Sequence, residues 1–196
     1  MTASPREVTL IPGDGIGPDI TEATLRLLEA AGAPLTWDRQ VAGMAAVKAH
    51  GDPLPDATLE SIKRTTLALK GPLETPVGKG FRSINVALRK EFDLYANLRP
   101  ARSRAGMPDA RRGLDALIVR ENTEGEYSSV GGKMFPDTER EFVVQESVFT
   151  RIGTDRILKF AFELARKRNG SPSDGVRRMT VCDKANILRS YAFFRS

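Results

Sequence analysis

Residues 8–20, VTLIPGDGIGPDI, set a short apolar run against a cluster of glycines and then open a helical pattern. A glycine-rich turn at a helix N-terminus can cradle a phosphate, because free backbone N–H groups and the helix dipole both favour an anion. The dinucleotide form of that loop needs G-x-G-x-x-G, with an acidic residue about 20 positions further on. A frame on Gly13 and Gly15 would demand a glycine where Pro18 stands, and a frame on Gly15 and Gly17 would demand one at Ile20. A ring or branched side chain hinders the close helix–strand approach that the third glycine allows. Asp38 lies at a fitting distance for the acidic partner, but the lysine of a Walker loop is absent. Spacing therefore favours a structural strand-to-helix turn over a nucleotide loop.

A second stretch, RSINVALRK at residues 82–90, offers anion chemistry of another kind. Ser83 can cap a helix running to about Lys90. Near that helix's N-terminus it would present its hydroxyl and neighbouring N–H groups to an anion. Asn85 and Arg89 are four apart and share one face of such a helix. Guanidinium groups bind carboxylates as a bidentate fork. Taken singly, however, Arg89, Arg99 or Arg120 reads more readily as half of a surface ion pair. The lone Cys182 rules out an internal disulfide and fits a reducing, cytoplasmic compartment. Its plainest role is that of a small buried hydrophobe rather than a reactive group.

The elements that must position these residues alternate. Strands are predicted at 8–11, 35–41, 66–70, 94–98, 114–120, 141–150 and 179–182. Helices are predicted from Pro18 to about 31, at 42–50, 56–63 and 83–90, from an N-cap at Thr154 to about 168, and from 185 onward. In the helix after Thr154, the residues Ile157, Leu158, Ala161, Phe162, Leu164 and Ala165 form the expected inner face. GPLETPVGKG (71–80) and NGSPSDG (169–175) read as loops. Strands alternating with helices imply an α/β protein with a largely parallel sheet. The chain has 196 residues, 40% hydrophobic and 28% charged, which suits a globular protein with a real core. It has neither an apolar run of about 18 residues nor a signal-like N-terminus, so no membrane partner is expected. The net charge is +5, but the basic residues are dispersed without interleaved aromatics, which argues against nucleic acid. SYAFFRS ends inside an apolar helical pattern, which reads as a chain cut in mid-helix.

LIPGDGIGPDI, KGPLETPVGKGFRSINVALRKEFDLYANLRP and VRENTEGEYSS together resemble the β-decarboxylating dehydrogenases, the isocitrate/isopropylmalate dehydrogenase family. The likeness runs from about residue 7 to the last residue, in the family's order and spacing. It implies a two-domain α/β fold with a largely parallel sheet, truncated at the C-terminus. Residues 1–99 would form the first part of the large domain, and 100–196 part of the small domain and a dimer clasp. GDGIG would be a structural turn, in agreement with its spacing. The implied reaction oxidises a 3-carboxy-2-hydroxy acid with NAD or NADP, then removes CO₂ from the keto acid with Mg²⁺ or Mn²⁺. Arg89, Arg99 and Arg120 match the family's substrate arginines, and a di- or tricarboxylate needs such fixed cations. Tyr127 matches the tyrosine that protonates the enolate, although a phenol near pKa 10 needs a neighbouring cation to act at neutral pH. Lys184, in CDKAN, matches the lysine that accepts the hydroxyl proton. Its counterpart reaches into the neighbouring subunit, so a homodimer is implied. Asn186 falls at the adjacent matched position. Leu73 and Thr75, with Asn85, match contacts to the nicotinamide cofactor, and Glu74 departs from the pattern.

Within the family, the Ser83/Asn85 pair is the isocitrate-type pattern, and isopropylmalate enzymes place apolar residues there. A hydroxyl and an amide suit isocitrate's additional carboxylate, because polar partners satisfy a desolvated anion. Residues 126–168 look closer to the D-malate/tartrate branch, which stays an alternative, as do an isopropylmalate-type dehydrogenase and a non-catalytic truncated fragment or subunit. Cys182 and Asp183 depart from commoner forms before the lysine. The family's metal-holding aspartates and its adenosine site lie downstream of the lysine motif. No metal ligand is therefore assigned within these 196 residues.

Overall fold

A computed structural model describes residues 4–74, 83–104, 106 and 113–196. The chain divides into two compact units, Met1–Ala87 and Leu88–Ser196.

In the first unit, β1 (Arg6–Ile11), β2 (Leu35–Arg39) and β3 (Ala68–Lys70) form a parallel sheet in the order β2-β1-β3. The apolar run at 8–11 becomes the central strand, and its four residues are all buried. A parallel strand covered on both faces reads in this way, as a continuous run rather than an alternation. Three helices accompany the sheet: α1 (Gly17–Ala30), α2 (Met44–His50) and α3 (Asp56–Thr65). The seam between α3 and β1 is polar and self-satisfied. The buried Thr9 hydroxyl lies 2.7 Å from both the Ser61 and the Thr65 hydroxyls, so their burial leaves no donor stranded. β3 starts later than predicted because Thr66, at φ 57°, closes α3 as a left-handed cap. On α1, the periodic apolar positions Ile20 and Leu27 remain exposed, while Gly17 and Thr21 are buried. Close approach decides this: Thr21 donates to the Pro12 carbonyl at 3.2 Å, and a Cβ on Gly17 would lie 2.5 Å from that same oxygen.

Helix α4 (Ile84–Glu91) contains the boundary between the units. In the second unit, β4 (Ala96–Arg102) pairs antiparallel with β5 (Asp115–Glu121). β6 (Gly125–Met134) pairs antiparallel with β7 (Phe142–Val148), with an irregularity between Gly125 and Val130. Helix α5 (Arg151–Lys167) packs on β5, and α6 (Arg189–Arg195) follows a turn at 185–187. Among the described residues the parallel sheet is thus confined to the first unit, and the strand pairs of the second are antiparallel.

Four expectations are corrected in the second unit, the first being Cys182, expected buried and found exposed. The cap of α5 is Thr150, whose hydroxyl accepts from the Gly153 N–H at 3.0 Å, and Thr154 is buried one turn inside the helix. Phe162, placed on the inner face by periodicity, is exposed. Residues 179–182 form no strand, because a strand needs an edge to pair with and none adjoins them among the described residues.

Candidate active site

The glycine-rich turn is closed by its own chain. Asp14, 7% exposed, accepts three backbone N–H bonds at 3.0 Å, from Met44 and Ala45 at the start of α2 and from Glu74. Gly13 sits at φ 89°, and a Cβ there would fall 2.1 Å from the Pro72 carbonyl oxygen. A Cβ on Gly71 would fall 2.0 Å from that of Pro12. Two backbone segments therefore touch across the turn, and only glycine permits the approach. Asp38 is committed as well. It accepts from Ser61 at 2.6 Å and Gln40 at 2.8 Å, and pairs with Arg64. These bonds, the Ser61 bond foremost, hold its carboxyl below the ordinary aspartate value. The turn is a packing device, as its spacing implied. Leu73 is half-buried in the segment that meets this turn, and Thr75 lies outside the described residues.

The second unit assembles a cationic face. In the β4–β5 register Arg99 pairs with Ile118 and Asn97 with Arg120. Paired residues share a face and side chains alternate along a strand, so Arg99 and Arg120 project from the same side as diagonal neighbours, roughly 7–8 Å apart. Arg99 is exposed and Arg120 half-buried. The Arg120 guanidinium donates to the Tyr127 hydroxyl at 2.5 Å, and its central carbon lies 5.3 Å from the ring centroid. A phenol oxygen that accepts from a guanidinium turns its own hydrogen elsewhere.

The sequence ENTEGEY builds that contact. Glu121 accepts from the Thr123 N–H at 2.9 Å, the Thr123 hydroxyl at 2.6 Å and the Glu124 N–H at 2.8 Å, which folds the chain back after β5. Tyr127 N–H then donates to the Glu124 carbonyl at 3.2 Å. Glu124 accepts from the Thr150 N–H and hydroxyl at 2.9 and 2.5 Å, and its carboxylate fills the space a Cβ on Gly153 would need. Arg156 ties the unit together from α5: it donates to Asp93 at 2.8 and 3.0 Å and to Thr123 at 2.9 Å, with its guanidinium carbon 4.5 Å from the Tyr95 centroid. Lys90 donates to Ser129 Oγ at 3.2 Å and the Ser128 carbonyl at 3.4 Å, which sets the last turn of α4 beside the Tyr127 segment. None of these four residues was singled out from sequence. The ExxE spacing at Glu121 and Glu124 was a visible turn signal, whereas the Arg156–Asp93 pair spans 63 residues and left none.

Arg89 is half-buried on the turn that carries Lys90. Ser83 and Asn85 are half-buried at the start of α4, where the Ser83 carbonyl accepts from the Ala87 N–H at 2.9 Å. Asn85 and Arg89 stand one turn apart on that helix. Lys184 and Asn186 are exposed, and no hydrogen bond joins either to Arg120 or Tyr127. Asp183 instead accepts from the Ala185 N–H at 2.9 Å and shapes the turn that carries them. The structure thus gathers Arg99, Arg120 and Tyr127, and leaves Lys184 and Asn186 outside that group. Among the described residues, no group of three or more His, Cys, Asp or Glu could hold a metal ion, and no helix is long and apolar enough to cross a membrane.

The isocitrate/isopropylmalate dehydrogenase family model matches residues 7–196. The chain belongs to that family. It is 43% identical over 187 residues to the probable isocitrate dehydrogenase [NAD] subunit alpha, mitochondrial, of Caenorhabditis elegans, covering 94% of this chain and 49% of that protein. It is also 43% identical to the isocitrate dehydrogenase [NADP] of Thermus thermophilus, covering 93% of this chain and 35% of that protein. Among solved structures, isocitrate dehydrogenase from Methylococcus capsulatus superposes with a TM-score of 0.87 at 46% identity, over 97% of this chain and 55% of that one. The chain therefore spans about half the length of the isocitrate/isopropylmalate dehydrogenases it matches, and it shares their α/β fold over that half.

Proposed function

We propose that this chain contributes the carboxylate-binding and proton-delivering part of an isocitrate dehydrogenase that oxidatively decarboxylates isocitrate with NAD or NADP and a divalent metal. One observation carries the reading: Arg99 and Arg120 share one face of β4–β5, and Arg120 bonds the Tyr127 hydroxyl at 2.5 Å. Relatives named for NAD and for NADP support the reaction class and leave the cofactor choice open. The described residues gather neither a metal cluster nor a dinucleotide loop, and what this chain's own residues do is hold an anion and place a proton.

In this reaction class the C3 carboxylate leaves as CO₂, its bonding pair passes into an enolate, and a proton returns to carbon. Arg99 and Arg120 neutralise the substrate's carboxylates and fix them on the hairpin face. Arg89, Ser83 and Asn85 extend that grip to the carboxylate distinguishing isocitrate from its relatives. Tyr127, its oxygen held by Arg120, aims its hydrogen at the enolate carbon. Lys184 takes the hydroxyl proton at the earlier oxidation, and a homodimer lets it serve the neighbouring copy's site. The family resemblance supports Leu73, Thr75, Asn85 and Asn186 as the residues that would contact the nicotinamide cofactor.

Calorimetric titration of isocitrate, D-malate and 3-isopropylmalate into the full chain tests the reading. Preferential binding of isocitrate, lost in Arg120→Gln, supports it. Preference for isopropylmalate, or no binding of any of the three, overturns it. Isocitrate- and Mn²⁺-dependent reduction of NAD or NADP then separates a working enzyme from a chain that binds without turnover.

A further inference from the structure

Helix α5 holds the β4–β5 hairpin at both ends of its ladder, and the two grips differ. We propose that Arg156 is a positioning residue of the candidate site, setting Tyr127 against Arg120 by way of Thr123, whereas Arg168 at the other end only fastens the hairpin to the helix. The proposal deepens the function given above and rests on it for the part Tyr127 plays in the reaction.

The register places the two grips. Ala96 opposite Glu121 ends the ladder on one side, and Arg102 opposite Asp115 ends it on the other. Arg156 spans the first end. Its guanidinium donates to Asp93 at 2.8 and 3.0 Å, shortly before β4, and to the Thr123 hydroxyl at 2.9 Å, shortly after β5. Arg168, which follows the last turn of α5, donates to the Asp115 carboxylate at 2.6 Å and to the Asp115 carbonyl at 3.3 Å. Positions 156 and 168 lie about 18 Å apart along a helix, and residues 96 and 102 lie about 20 Å apart along a strand. One length of helix therefore matches one length of hairpin. Arg120 stands next to the end that Arg156 closes, at the far side of the ladder from Arg168.

A directed chain runs from Arg156 into the site. The Thr123 hydroxyl has a single hydrogen and gives it to Glu121 Oε1 at 2.6 Å. Its oxygen is left to accept from Arg156, so the order guanidinium, hydroxyl, carboxylate has one polarity. The other Glu121 oxygen accepts from the Thr123 and Glu124 N–H groups, and the Glu124 carbonyl accepts from the Tyr127 N–H. That turn delivers the Tyr127 hydroxyl to Arg120, the residue before Glu121. On its other arm Arg156 holds Asp93 at φ 46°, a left-handed conformation that a residue with a Cβ adopts at a cost. Tyr95 is caught between the Arg156 guanidinium, 4.5 Å from its ring centroid, and the edge-on ring of Phe160 one turn along α5. The Arg156 side chain is only 27% exposed, a fixed contact rather than a loose surface ion pair. Arg168 has no such route, because among the described residues its side chain bonds Asp115 alone.

Nuclear magnetic resonance of the full 196-residue chain, labelled with carbon-13 at tyrosine Cζ, reads the phenol environment directly. The chain has three tyrosines. Tyr127→Phe assigns the Tyr127 signal, and Arg120→Gln gives its position once the guanidinium bond is gone. Arg156→Met, which keeps much of the stem and removes the donors, should shift that signal toward its Arg120→Gln position. Thr123→Val, which removes the hydroxyl and leaves the Asp93 pair in place, should shift it the same way. Arg168→Met should lower the thermal midpoint as Arg156→Met does, because each strips a carboxylate of its partner, yet leave the Tyr127 signal where it stands in the parent. The proposal is overturned if the signal stays in place in Arg156→Met or in Thr123→Val, or if Arg168→Met moves it as far. Thr123→Val decides the matter should Arg156→Met fail to fold. No ligand enters the measurement, so a failure of isocitrate to bind would strike the functional reading and leave this result standing.

Discussion

Replacing Asp14 with alanine tests whether the GDGIG turn serves the fold or a ligand. The carboxylate accepts from Met44, Ala45 and Glu74 N–H groups, each at 3.0 Å, and is 7% exposed. A buried donor left without a partner costs about 1–3 kcal/mol, and a lost helix N-cap costs about 0.5–2 kcal/mol. Three donors, with partial relief from water on the exposed Glu74 side, sum to roughly 3–5 kcal/mol. That is a large share of the ~5–15 kcal/mol that holds an ordinary domain folded. Trp37 is the chain's one tryptophan and pairs with Val8 in the β1–β2 register, so its fluorescence reports the unfolding of this unit. With a urea m-value of ~2 kcal/mol/M, the midpoint should fall by roughly 1.5–2.5 M. Asp14→Asn keeps one acceptor oxygen and turns an amide toward a donor, so it should lose about 1–3 kcal/mol. A loss below about 1 kcal/mol in Asp14→Ala would refute the reasoning, since the carboxylate would then be spare for binding.

Further outcomes follow from the same geometry. Gly71→Ala should destabilise the first unit by about 1–3 kcal/mol, read by the same urea titration, because its Cβ would lie 2.0 Å from the Pro12 oxygen. Thr150→Ala should cost about 0.5–2 kcal/mol as the lost α5 cap, whereas Thr154→Val should be neutral or stabilising, because that buried hydroxyl has no partner; thermal unfolding of the two variants makes the comparison. The bond from Arg168, and then that from Arg102, hold the Asp115 carboxyl below the ordinary aspartate value. A carboxyl depressed on folding adds stability that is full above its unfolded pKa of about 3.9 and fades as pH falls through the folded value. Thermal stability should therefore decline with acidification below about pH 4, and less steeply in Asp115→Asn. On the proposed reading, Tyr127→Phe should leave isocitrate affinity, measured by calorimetry, within about threefold of the parent, because Arg120 keeps its charge and only the proton is removed; a larger loss of affinity would assign Tyr127 to binding.

Where order in the chain is local, the residues announced it. The Val8–Ile11 run, Pro18 at the start of α1 and the missing third glycine together specified strand, helix and packing turn. Order that depends on remote partners was less legible. β6 carries Gly125, Gly131, Gly132 and two serines, weak strand formers, and exists because β7 pairs with it. Residues 179–182 show the converse, a strand-like sequence that lacks a ladder. Periodicity placed Phe162 inward, yet it is exposed on α5, and on α1 the close approach at Gly17 and Thr21 turns the face carrying Leu27 outward. Motif resemblance named Arg99, Arg120 and Tyr127; the β4–β5 register puts the two arginines on one face, and a hydrogen bond joins Arg120 to Tyr127. Glu124 and Arg156, which hold that geometry, act through contacts spanning 26 and 63 residues, beyond the reach of spacing arguments.

A double-mutant cycle on Arg99 and Arg120, read as isocitrate affinity, probes the shared cationic face most directly. Arg99→Gln and Arg120→Gln should each weaken binding by about tenfold or more, since hydrogen bonds between charged groups contribute about 1.5–3 kcal/mol. The double variant should depart from the sum of the two losses by at least about 0.5 kcal/mol, because both cations grip one ligand. Unchanged affinity in either single variant, or losses that simply add, would contradict a common anion site.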